Sequence, residues 1–257
     1  MKIGCLLSVR EKATRLPHKA LLDVGGKPLT ARLLERLTMC KGIDKLILAT
    51  SSHPDDDILE ALAHRGGIAT FRGHPEDKLN RYFHTARSYG LDAVIIVDGD
   101  DLFCFPEGVD MVAAELRKEE FDCIYISGLP LGAASTGLTT NALEKVLDLK
   151  DEEDTEVWGG YFIGTKYFSS REIKLTDPRL AHPNIRLTID YPEDYDFACR
   201  IIFELNNENN FSSYDLMDLL VNKKPELCNI NKAATALYED HIKKSAPIKF
   251  KHQSKYQ

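Results

Sequence analysis

No apolar run in this chain approaches the roughly 20 residues that a bilayer-spanning helix needs. The longest are of the order of residues 93–97. The first residues, Met-Lys-Ile-Gly-Cys-Leu-Leu, reach Arg10 before any secretory core can form. Export and membrane insertion are therefore not expected, and the cytoplasm is the expected location. The six cysteines are scattered, with no Cys-x-x-Cys pair and no histidine at ligand spacing, which argues against zinc and against a disulfide framework. They read as reduced core residues. Neither the glycine spacing of a Walker loop nor that of a dinucleotide-binding turn occurs, and there is no internal repeat. Cations are locally absent too: between Arg87 and Arg117 there is no Lys or Arg.

What the chain does contain is ordinary for a globular protein. Its 257 residues are 43% hydrophobic and 28% charged, enough for one large domain or one domain with a small appendage. A net charge of −7 speaks against nucleic-acid binding through the overall field. The charge is nevertheless segregated. Arg10, Lys12, Arg15 and Lys19, opposed only by Glu11, give one loop a net +3, whereas the cation-free stretch holds Asp92, Asp98, Asp100, Asp101, Glu107, Asp110 and Glu115.

Residues 2–9, 45–50, 68–71, 93–97 and 121–127 read as strands. Residues 28–40, 54–62, 76–89 and 106–118 carry apolar positions at helical spacing between them. Pro54 with Asp55–Asp57 suits a first helical turn. This alternation predicts βαβ units, a mostly parallel sheet and right-handed crossovers. Such sheets bind ligands beyond the carboxyl ends of their strands. The cationic loop after Val9 and the acidic segment after Val97 both fall at such ends, so they are expected to face one crevice.

Beyond Gly128 the pattern is less regular. Residues 128–141 read as a Gly-, Pro-, Ser- and Thr-rich loop, 151–156 as a solvated acidic loop, and 157–163 and 184–189 as candidate strands. Residues 192–205, opened by Pro192, Glu193 and Asp194, predict a helix, and 213–222 and 231–244 two more. Residues 241–257 carry five lysines and no acid, as a solvated basic tail would.

Several cations held in one loop are what a triphosphate requires, since arginine supplies forked donors and lysine a point charge. A solvated surface loop is the alternative. Asp100 at a strand end can hold Mg²⁺, which typically takes one or two carboxylates plus phosphates and water. Asp-Gly-Asp is also good turn chemistry, and Asp190 and Asp194 suit the cap of the following helix.

The loop Arg10-Glu11-Lys12-Ala13-Thr14-Arg15-Leu16-Pro17-His18-Lys19 resembles the N-terminal signature A-R-x-x-S-x-R-L-P-x-K of the cytidylyltransferases that activate acidic keto-sugars. These include the 3-deoxy-manno-octulosonate, acylneuraminate and spore-coat polysaccharide types. The resemblance continues through Gly25-Gly26-Lys27-Pro28, Ala49-Thr50-Ser51, the stretch from Phe71 to Tyr82, Gly99-Asp100 and Arg186-Leu187-Thr188-Ile189-Asp190-Tyr191-Pro192-Glu193-Asp194, ending near residue 205. Departures are Ala13 for a usual serine, Leu102 where Gly-Asp-x-Pro has proline, and Asp98 where Gln or Thr is usual.

This resemblance implies an α/β fold, a Rossmann-like three-layer nucleotidyltransferase with a mostly parallel central sheet in residues 1–210; residues 211–257, outside the resemblance, are expected to form a small helical extension ending in the basic tail. The resemblance implies Mg²⁺-dependent transfer of CMP from CTP to an acidic keto-sugar, with release of pyrophosphate. Arg10, Arg15, Lys19 and Asp100 would be catalytic, Arg72 and Asp98 would join Arg10, Arg15 and Lys19 in holding the nucleotide, and Asp100 and Asp190 would hold the metal. Family members are commonly homodimers. Two alternatives remain at this level. One is a sugar 1-phosphate or phosphonate acceptor, for which Lys166, Arg171 or Arg179 would supply extra cations. The other, motivated by Ala13 and Leu102, is a noncatalytic nucleotide-binding homologue.

Overall fold

The computed structural model describes residues 1–12, 15–207, 210–244 and 248–251. Ala13 and the end of the basic tail, residues 252–257, lie outside the described residues, as do 208–209 and 245–247.

The alternation of strands and helices is realised as β1 (Ile3–Ser8), α1 (Leu29–Leu37), β2 (Lys45–Ser51), α2 (Asp57–Arg65), β3 (Ala69–Gly73), α3 (Lys78–Tyr89), β4 (Ala93–Asp98), α4 (Pro106–Leu116) and β5 (Cys123–Ser127). Then follow β6 (Thr136–Thr139), α5 (Thr140–Leu149), β7 (Ser170–Lys174), α6 (Pro192–Glu204), α7 (Ser213–Asp218) and α8 (Lys232–Lys244). The seven strands form one sheet in the order β3-β2-β1-β4-β6-β5-β7. All pairings are parallel except those of β6, which runs antiparallel to both β4 and β5.

Alternation along the strands splits the core into two layers, because successive side chains point to opposite faces. Cys5 and Leu7 of β1 and Ile95 and Val97 of β4 pack with α1, α2, α4 and α6. Leu6, Val94 and Ile96 face the other way, against Leu79, Tyr82 and Ala86 of α3 and Leu143 and Val146 of α5. The result is the three-layer, mostly parallel α/β arrangement expected from the sequence. Phe211, Leu216, Met217, Leu219, Leu220 and Leu227 belong to the same core cluster as α1 and α4. Among the described residues no helix is long and apolar enough to cross a membrane.

Three local expectations differ from the structure, and one strand had none. Residues 128–141 are not all loop, since they contain β6 and the start of α5, with Thr139 capping α5 by accepting from the Ala142 amide. Residues 157–163 are not a strand but hold a single 3-10 turn, Gly159–Tyr161. Residues 184–189 contribute one bridge, Leu131 to Arg186. The strand β7 carried no sequence expectation; its alternating residues are mostly exposed at the sheet edge.

Candidate active site

At the carboxyl ends of β1 and β4 the sheet opens into a cavity of roughly 300 Å³. Its floor depends on glycine. A Cβ on Gly99 would lie 2.6 Å from Val9 Cβ, so only glycine lets the turn after β4 pass that close to the end of β1. Beyond it, the Ile189 amide donates to the Asp100 carbonyl at 2.9 Å, which brings the segment ahead of α6 alongside the turn.

The two charged segments do meet here. Lys19 Nζ donates to Asp100 Oδ2 at 2.9 Å and to Asp190 Oδ1 at 3.2 Å, and Arg15 reaches the same Asp190 oxygen at 2.6 Å. Burial opposes the Lys19 charge, but Asp100 and Asp190 outweigh it and raise its pKa. Burial would likewise raise Asp100, yet the charge and hydrogen bond of Lys19 bring it down to about 2. The other oxygen of Asp190 accepts from Arg186 at 3.0 Å. Arg186 in turn grips Asp194 with two bonds of 2.8 and 2.9 Å, and Asp194 caps α6 by accepting from the Asp190 and Tyr191 amides.

A second cluster lines the opposite wall. Arg10 pairs with Glu76 at 2.8 Å and Glu156 at 3.0 Å, and Lys78 with Asp98 at 3.2 Å and Glu156 at 3.1 Å. Burial raises the pKa of Asp98 in spite of Lys78. Arg81, at the base of α3, is fully buried and donates to the His74 carbonyl at 2.6 Å. Two buried donors, Arg15 Nη1 and Arg81 Nε, have no hydrogen-bond partner. An orphaned buried donor costs about 1–3 kcal/mol, so both favour an incoming anion.

Of the residues expected from the sequence, Arg10, Arg15, Lys19, Asp98 and Asp100 line the cavity, and Asp190 adjoins it through Arg15 and Lys19. Arg72 is placed elsewhere. Its guanidinium is taken up by Asp57, Glu60 and the carbonyls of Ser51 and His53, and it is not among the lining residues. His18 turns outward and pairs with Glu11. Lys166, Arg171 and Arg179 also stay away from the cavity, over Tyr167, Phe121 and Tyr214 respectively. Leu102 is buried in the core, so its replacement of a proline leaves the cavity lining unchanged.

Lys78, Glu156 and His241 were not singled out from the sequence, although all three line the cavity. Lys78 lies inside the stretch that carries the family resemblance, which was its available signal. Glu156 ends the acidic run read as a solvated loop. That reading holds for much of the run, but Thr155 is buried and bonds Asp77 at 3.1 Å, turning Glu156 toward Arg10 and Lys78.

The carboxylates offer a place for a divalent cation. Asp100 and Asp190 converge on one point, presently the Lys19 ammonium, and Mg²⁺ typically takes one or two carboxylates together with phosphate and water oxygens. Among the described residues no group of three or more His, Cys, Asp or Glu side chains forms an all-protein metal cage. A metal at Asp100 and Asp190 would thus rely on a ligand for its remaining positions.

Proteins of similar sequence and fold identify the family. The spore coat polysaccharide biosynthesis protein SpsF of Bacillus subtilis is 30% identical over 229 residues, covering 86% of this chain and 94% of that protein. The structure of a cytidylyltransferase from Leptospira borgpetersenii superposes with a TM-score of 0.80 at 25% identity, covering 89% of this chain and 97% of that one. A CMP:2-keto-3-deoxy-manno-octonic acid synthetase, solved with CTP, shares the fold at a TM-score of 0.61 and 15% identity, covering 80% of this chain and all of that one. The family model for cytidylyltransferases matches residues 5–227, and this chain accordingly belongs to the cytidylyltransferase family and is a nucleotidyltransferase.

Proposed function

We propose that this enzyme transfers CMP from CTP to the hydroxyl of an acidic keto-sugar, releasing pyrophosphate, in the cytoplasmic synthesis of a surface polysaccharide. The observation that carries the reading is the Lys19 ammonium held between Asp100 and Asp190, with Arg15 on the same carboxylate. It supports the reading because two cationic side chains and two carboxylates, the groups a magnesium triphosphate requires, lie within one small volume. The family match, the CTP bound in the related synthetase and the polysaccharide role of the spore-coat relative support the nucleotide and acceptor classes. Free, scattered cysteines are consistent with a reducing compartment.

In this reading Arg10, Arg15 and Lys19 leave their carboxylate partners and bind the triphosphate, and the orphaned Arg15 donor gains an acceptor. Lys78 and Asp98 fix the edge of the same pocket. Arg186 holds the Asp190 carboxylate at a fixed angle to Asp100. Mg²⁺, bound by these two residues, would supply charge neutralisation at the α-phosphate. Catalysis then rests on positioning and electrostatic stabilisation, and no covalent intermediate is needed. A phosphorylated acceptor is less well served, since Lys166, Arg171 and Arg179 lie away from the cavity.

The test is pyrophosphate release from CTP over a panel of keto-acid sugars. Asp100→Asn should lower turnover by more than about 100-fold, the order lost when a transition-state stabilising group is removed, with the unfolding midpoint nearly unchanged. Full turnover in that variant would refute the assignment of Asp100.

A further inference from the structure

The family match ends at residue 227, ahead of α8, yet α8 contributes to the cavity wall. Asn231, Ala234, Tyr238 and His241 follow at steps of three, four and three, which puts them on one helical stripe. That stripe faces inward. Asn231 is buried and donates to Asp194 Oδ1 at 2.9 Å and to the Arg186 carbonyl at 3.1 Å. Ala234 is fully buried, the Tyr238 ring lies 4.9 Å from the Arg186 guanidinium, and His241 lines the cavity. The apolar Leu237 and Ile242 instead stand exposed at 51% and 40%.

Contacts with the main domain stand at both ends of the helix. Its start is tied to the Arg186–Asp194 pair by Asn231. Past its end, residues 248–251 pack beside α5 and the 3-10 turn: the Asp151 amide donates to the Lys249 carbonyl at 3.0 Å, the Lys251 amide to the Leu149 carbonyl at 2.8 Å, and Phe250 packs on Tyr161 and Tyr167. Burial and then the charges of Asp190, Asp101 and Asp100 raise the Tyr238 pKa.

The cations that line the cavity all come from Arg10 to Arg81, and the α8 stripe adds the His241 imidazole to that lining, with the half-buried Tyr238 phenol next to it on the stripe. Such groups suit a ligand rich in hydroxyls. We propose that α8 is the acceptor-recognising element of this enzyme, with Tyr238 and His241 as specificity residues that hydrogen-bond the hydroxyl- and carboxylate-bearing acceptor, and Asn231 as the residue that positions the helix. This rests on the CMP-transfer reading above and assigns the acceptor side of the same cavity to a segment outside the family match.

The experiment compares steady-state kinetics of the full-length protein with His241→Ala, His241→Asn, Tyr238→Phe and, as an outward-facing control, Leu237→Ala. His241→Ala and Tyr238→Phe should raise the acceptor KM about 10-fold, the order of one lost hydrogen bond, with the KM for CTP within about twofold of wild type. His241→Asn, which keeps an N–H donor, should recover part of the loss, and Leu237→Ala should change neither constant. An unchanged acceptor KM in both His241→Ala and Tyr238→Phe, or equal rises in both KM values, would overturn the assignment of α8 while leaving CMP transfer standing. A wild-type enzyme that turns over CTP with no keto-acid sugar of the panel would overturn the function reading and this inference with it.

Discussion

Asp190 is nearly inaccessible, with a side-chain exposure of 2%, and accepts from three cationic side chains at once. A buried carboxylate is tolerated only where such donors saturate it, and here the donor that fixes its orientation is Arg186. Arg186 is itself 3% exposed at the side chain and is held by Asp194, with Tyr191 and Tyr238 rings at 5.8 and 4.9 Å. Replacing it by Met would leave two buried carboxylates short of their partner. Breaking a buried pair in this way costs about 3–5 kcal/mol, to be measured by urea denaturation. Lys should recover only part of that loss, since an ammonium cannot reproduce the forked contact with Asp194. A loss of less than about 1 kcal/mol in Arg186→Met would mean that the pair is not a stabilising feature. Arg186 and Asp190 stood together in one recognisable stretch of sequence. The partnership of Lys78 with Glu156 did not, because it joins residues 78 positions apart and no local pattern encodes such a contact.

At the scale of elements, the sheet's parallel half was legible because each strand is apolar and each following helix has an apolar stripe. Of the other half only β5 was, within residues 121–127; β6 and β7 were not. β6 has only four residues, Thr-Gly-Leu-Thr, set between turn-forming residues, and its pairing with β4 and β5 is a tertiary fact. Gly137 within it supplies the space for α4: a Cβ there would come 2.6 Å from Val112 Cγ1. The segment that leads into Asp190 was read as a strand, but it makes a single bridge and depends on the turn at Gly132. That glycine has φ of 91°, and a Cβ on it would lie 2.4 Å from the Thr188 backbone nitrogen. Backbone cannot yield as a flexible side chain can. Gly132→Ala should therefore cost at least about 1–3 kcal/mol from the strained conformation alone. It should also lower turnover, because the displaced residues 188–190 carry the Asp190 carboxylate away from Asp100. Thermal melting and pyrophosphate release measure the two effects. A stable variant with wild-type activity would show that the turn can relax without moving Asp190.

For the molecule as a whole, composition indicated a globular chain and the distribution of charge indicated the crevice, but neither indicated how the C-terminal residues attach. A break near residue 210 is natural in the sequence, where Asn206–Asn210 interrupts two helical patterns. In the structure the following residues are packed into the main core. Arg36 of α1, fully buried, donates to the Cys104 carbonyl at 2.7 Å and the Phe211 carbonyl at 3.1 Å, and its guanidinium lies 4.5 Å from the Phe211 ring. Burial lowers its pKa to about 10, so the charge is costly to keep there and needs those acceptors. Beyond it, Leu216, Met217, Leu219, Leu220 and Leu227 belong to the same buried cluster as the apolar residues of α1, α4 and α6. Each such side chain stabilises by roughly 1.5–3 kcal/mol when buried, and their removal uncovers a matching apolar surface on what remains. The sum is comparable to the roughly 5–15 kcal/mol that holds a whole domain together. A chain ended at Asn210 should consequently lose cooperative unfolding and precipitate when expressed, whereas one ended after Asn229 keeps the core residues and should unfold cooperatively by circular dichroism. Cooperative melting of the shorter chain would show that residues 1–210 fold by themselves, and that the packing of Phe211 through Leu227 is dispensable to the core.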